Sequence, residues 1–120
     1  MSPQQVVDPS VLESLTGRLG DRGPAFRASL LQTWRDETAA RLADLDTAAA
    51  AGDADRACRL AHTMKSAAGS LGATVLSSLC DEVETTLRAG RDRDLVADAT
   101  AVRRAADDAD AAFSTLWPVS

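Results

Sequence analysis

Apolar residues in this chain recur at steps of three and four, and glycines punctuate the pattern at Gly52, Gly72 and Gly90. Such spacing gathers side chains on one face of an α-helix, and each glycine divides the periodic stretch into helices joined by short turns. Leu31, Trp34, Thr38, Leu42, Leu45 and Ala49 form one row, and Ala57, Leu60, Ala61, Met64, Ala67, Ala68 and Leu71 form the next. Leu76, Leu79, Cys80, Val83 and Leu87 make a third. Leu95, Ala99, Val102, Ala106, Ala109, Phe113 and Leu116 make a fourth. Tyrosine is absent and aromatic residues are 3% of the chain, so the core must come from Leu, Ala and Val between closely approaching helices. The fold class expected is all-α: an antiparallel, up-down-up-down four-helix bundle with a short additional N-terminal helix.

Local chemistry sets the boundaries. Met1–Val7 reads as a loose lead-in, after which Asp8-Pro9-Ser10 starts a short helix that Gly20 stops, with Asp8 as cap and Pro9 at the first helical position. Gly23-Pro24 opens a long helix that ends at Gly52. Asp53 caps the next, about Ala54 to Leu71, at once, so these two helices form a tight antiparallel hairpin. A further helix runs from about Thr74 to Ala89, Asp92 or Asp94 caps the last, and Pro118 marks its end. The expectation is one domain over residues 1–120, with the bundle over about 24–117.

A net charge of −5 and a pI near 4.7 argue against nucleic acid or an anionic membrane as partner, since both require a basic face. The N-terminus has no apolar signal core, and no apolar run approaches the roughly 20 residues of a membrane span, so a cytoplasmic protein is expected. Cys58 and Cys80 then read as reduced thiols. Trp34 and Trp117 read as packing residues.

The third helix carries the chemistry. His62 is the only histidine, and Lys65, one turn later, is the only lysine among thirteen basic residues. At roughly 100° per residue, His62, Lys65, Ser66 and Gly69 fall opposite the apolar row, so the imidazole faces water. Ser66 and Gly69 are too small to shield it from an approaching macromolecule. An exposed ring nitrogen can carry a phosphoryl group as a nucleophile, and an adjacent ammonium can balance the added charge. No glycine-rich phosphate loop accompanies them, so the phosphoryl group must come from a partner.

The run Ala61-His62-Thr63-Met64-Lys65-Ser66-Ala67-Ala68, followed by Gly69-Ser70-Leu71-Gly72-Ala73, resembles the core motif of histidine-containing phosphotransfer (HPt) domains of multistep two-component phosphorelays. That motif reads approximately Ala-His-x-Leu-Lys-Gly-x-Ala and then x-x-Leu-Gly-Ala. Met64 stands for the usual Leu, a conservative change on the buried row. Ser66 stands for the usual Gly and either narrows the range of docking partners or donates a hydrogen bond to the phosphoryl group. The resemblance implies a four-helix bundle whose His62 accepts a phosphoryl group from a receiver-domain aspartate and passes it to another, with Lys65 stabilising its charge. It implies response-regulator receiver domains and a hybrid histidine kinase as partners, a carrier rather than an enzyme, and no cofactor of its own, while five helices closing on themselves favour a monomer. Mg²⁺ is expected on the receiver.

Three further residues are candidates for the docking surface. Cys58 lies four residues before His62, but zinc needs more ligands than this pair supplies, so no metal site is expected and a small half-buried residue is the ordinary reading. Glu84 and Arg88 lie beside the buried row of the following helix, where their spacing fits an ordinary surface ion pair, the preferred reading, or a contact that orients His62. Two rival functions are weighed: a bundle that binds a response regulator or kinase without being phosphorylated, and a dimerising kinase fragment. The chain's end at Ser120, with no ATP-binding domain after the bundle, weighs against the second.

Overall fold

The computed structural model of the chain describes residues 2–118. Helices α1 (Pro3–Val6), α2 (Pro9–Gly17), α3 (Gly23–Ala51), α4 (Ala54–Ser70), α5 (Thr74–Arg88) and α6 (Leu95–Leu116) follow in order, with a 3₁₀ turn at Gly20–Arg22 and no strand among the described residues. α3 packs on α4, α4 on α5 and α5 on α6, and α6 returns to α3, which closes an antiparallel four-helix bundle. The 29 residues of α3 rise roughly 44 Å at 1.5 Å each, close to the 47 Å length of the molecule.

The caps stand where side-chain oxygens can meet free amides. Asp8 accepts from the Ser10 amide at 3.0 Å and its hydroxyl at 2.7 Å, and Asp53 accepts from the Arg56 amide at 3.1 Å. Asp94, not Asp92, caps α6, accepting from the Ala97 amide at 3.0 Å. Gly52 takes the left-handed conformation (φ 64°) that ends α3 and turns the chain into α4. In the core, Trp34 meets Phe113 edge-on at 5.3 Å, and Phe113 stacks on Trp117 at 6.4 Å, so both tryptophans pack.

The N-terminal lead-in differs from expectation. Met1 lies outside the described residues, but Pro3–Val6 forms a helical turn and both Val6 and Val7 are buried, Val7 completely. Two adjacent valines cover apolar surface that the bundle leaves open where α1 packs on α5 and α6. The Asp8 amide then donates to the Gly72 carbonyl at 2.8 Å, and the Thr74 hydroxyl to the Val6 carbonyl at 3.4 Å. The four bundle helices span Gly23–Leu116, close to the expected 24–117, but ordered structure begins well before them. α2 ends at Gly17, three residues before Gly20, and the 3₁₀ turn leads into α3.

Candidate functional site

Ala57, Ala61, Met64 and Ala68 bury one face of α4, which turns His62 outward. Its side chain is 54% exposed. The small side chains of the buried row and the short turn at 71–73 bring α5 close alongside, and Ser77 of α5 donates its hydroxyl to the Lys65 carbonyl at 3.1 Å. Gly69 faces the same contact; a Cβ there would sit 3.3 Å from the Ser77 Oγ. Ser66 and Gly69 are both exposed.

Glu84 departs from the preferred expectation of a surface ion pair and meets the alternative one, a contact with His62. Its side chain is only 3% exposed, so it is no ordinary surface partner of Arg88. Glu84 Oε2 lies 2.6 Å from His62 Nδ1 and 2.6 Å from Arg88 Nη2, and Oε1 accepts from the Lys65 ammonium. The sequence signal was present: Glu84 follows Leu76 and Cys80 at steps of four, which puts it on the inward row of α5. A carboxylate there must be met by cations or be neutralised.

These partners hold the Glu84 carboxyl below its ordinary value, the hydrogen bond from Lys65 contributing most against the opposing effect of burial, followed by the His62 hydrogen bond and the Arg88 charge. Glu84 in turn raises Lys65, with Asp81, 3.3 Å from the ammonium, adding to the effect. An ionised carboxylate only accepts hydrogen bonds, so Nδ1 carries a proton whichever form the ring takes, and the neutral ring has its lone pair on Nε2. Lys65 is thus drawn toward α5 by Glu84 and Asp81, one turn from His62 and on the ring's own surface.

Cys58 is half-buried, and its thiol donates to the Glu84 carbonyl at 3.8 Å, consistent with a packing role. No group of three or more His, Cys, Asp or Glu residues that could hold a metal ion occurs among the described residues. Beside the carboxylate, Lys65, Asp81, Glu84, Thr85, Arg88 and Ala89 line a shallow depression of about 380 Å³. The arrangement is an open surface with an outward-facing imidazole whose Nδ1 is held by Glu84, a carboxylate that also pairs with Lys65 and Arg88.

Comparison with known proteins shows the family. The family model described as the Hpt domain matches residues 29–113, more than half of the chain, and the chain belongs to that family. Its role is accordingly histidine phosphotransfer in a phosphorelay. The crystal structure of histidine-containing phosphotransfer protein B (HptB) from Pseudomonas aeruginosa PAO1 is similar, with a TM-score of 0.78 at 28% identity over 96% of this chain and 97% of that one. No curated protein matches the chain significantly in sequence. No helix among the described residues is long and apolar enough to cross a membrane.

Proposed function

We propose that His62 is the phosphorylated residue of a phosphorelay intermediate, loaded from the aspartyl phosphate of one receiver domain and unloaded onto the aspartate of another. The observation that carries this reading is the buried Glu84 carboxylate 2.6 Å from Nδ1, which supports Nε2 of the half-exposed ring as the nucleophile. In loading, the Nε2 lone pair forms the N–P bond while the P–O bonding pair returns to the donor carboxylate. The proton stays on Nδ1 throughout, so the ring becomes cationic opposite the Glu84 anion, and the developing charge is met by a group already in place. Unloading is the same step reversed, with the acceptor carboxylate as nucleophile.

Lys65 supplies positive charge to the phosphoryl oxygens, and Ser66 and Gly69 form the flat ground on which a receiver docks. The partner supplies most of the catalysis from its own acidic pocket and its Mg²⁺, and a hybrid histidine kinase stands upstream. Contact with each partner is transient, since a carrier must leave one to meet the next. The chain acts as a monomer in this reading.

The test is to incubate the chain with receiver domains charged by acetyl phosphate and follow an acid-labile, base-stable label. Label is expected on the wild type and on Cys58→Ala, and none on His62→Gln. Lys65→Ala should slow transfer about tenfold, the worth of one charge-assisted hydrogen bond. Label that persists in His62→Gln overturns the assignment. Absence of label on the wild type despite receiver binding favours the pure interaction module.

A further inference from the structure

We infer that Arg88 sets the pH range over which the phosphorylated His62 is labile, by sharing with Nδ1 the one carboxylate oxygen that holds the ring's proton. The inference rests on His62 being the phosphorylated residue. Its basis is atomic: Lys65 occupies Glu84 Oε1, whereas Arg88 Nη2 and His62 Nδ1 both lie 2.6 Å from Oε2. Arg88 is the last residue of α5, where the helix terminus favours a cation, and its side chain is 65% exposed. It is therefore a positioning residue that acts through Glu84.

The chemistry follows from the leaving group. In hydrolysis, water attacks phosphorus, the N–P bonding pair returns to Nε2, and the water's protons go to the released phosphate and solvent. With Nδ1 protonated, the group released is neutral imidazole. Without that proton it is imidazolate, a far poorer leaving group, and the N–P bond persists. The firmness with which Oε2 holds the Nδ1 proton thus determines how far up the pH scale the bond stays labile. A guanidinium on the same oxygen weakens that hold. The other groups around the carboxylate act elsewhere: Lys65 of α4 binds Oε1, Asp81 of α5 acts through Lys65, and the Cys58 thiol of α4 reaches only the Glu84 backbone carbonyl.

The test uses the full chain phosphorylated with potassium phosphoramidate, so that no receiver is needed, and follows loss of phosphate against pH for wild type, Arg88→Gln, Glu84→Gln and the double variant. In Arg88→Gln the decline of hydrolysis with rising pH should be displaced to higher pH, giving a rate about two- to fivefold above wild type on the alkaline side, the scale of a solvent-screened ion pair. In the Glu84→Gln background, Arg88→Gln should produce no displacement. A uniform rate change at every pH would mean that Arg88 acts on the phosphoryl oxygens directly, and it overturns the inference. So does an unchanged profile, or a displacement that survives in the Glu84→Gln background. If phosphoramidate places no His62-dependent label on the wild type, the assignment of His62 itself fails, an outcome distinct from any change in profile.

Discussion

The two thiols stand in different surroundings. Cys80 is fully buried in the inward row of α5, and burial pushes its thiol up to about 12. Cys58 is half-buried on α4. Because the thiolate is the reactive form, an alkylating reagent should modify Cys58 in the folded chain and leave Cys80 untouched until the protein unfolds. Mass spectrometry after timed iodoacetamide treatment checks this, and equal native labelling of the two would contradict the burial of Cys80. Glu84 shows how far single residues could be read from the chain. The outward position of His62 was legible because periodicity alone fixes a helix face. The role of Glu84 was less so, because its four-residue spacing from Arg88 already offered a sufficient surface explanation. The decisive fact was that Glu84 also continues the Leu76–Cys80 row, and only the packed structure shows which cations reach it there.

At the scale of elements, the site is a ladder between two antiparallel helices. His62, Lys65 and Gly69 on α4 meet Glu84, Asp81 and Ser77 on α5, and the steps of three and four match on the two sides. The register of that ladder is set at the turn after Leu71, where Gly72 has φ +82° and a Cβ would come within 2.6 Å of the Asp8 carbonyl oxygen. A side chain at this position is strained in the backbone and pushed into the N-terminal segment. Gly72→Ala should therefore destabilise the chain by about 1–3 kcal/mol in denaturant unfolding. Gly17→Ala is the contrast, since nothing lies within 4 Å of a Cβ there and its effect should stay within about 0.5 kcal/mol. Equal losses from the two variants would show that the Gly72 contact does not constrain the turn.

For the whole molecule, the order of helices was readable because the connections are short: Gly52-Asp53 leaves α4 no course except back along α3, and the turn at 71–73 does the same for α5. The docking of the N-terminal segment was not, because its bonds run to residues far along the chain, as between Val6 and Thr74, whereas Ser2, Pro3 and Gln5 carry a local signal only for the helical turn itself. The site also ties into stability as a whole. Glu84 is depressed on folding, so its contribution is complete above the ordinary carboxylate value of 4.5 and is lost as pH falls through the lower folded value. Lys65 is raised, so its contribution is complete below its ordinary value of 10.5 and is lost as pH rises through the higher folded value. Asp8 is also depressed, chiefly by its hydrogen bond from the Ser10 hydroxyl, but it is common to any pair of variants compared at Glu84. In urea unfolding, the stability gap between wild type and Glu84→Gln should accordingly narrow as pH falls below 4.5 and again as it rises above 10.5. A gap that widens as pH drops below 4.5 would mean that the carboxylate enters the folded state protonated, and the Nδ1 proton that His62 is argued to keep would have lost its acceptor.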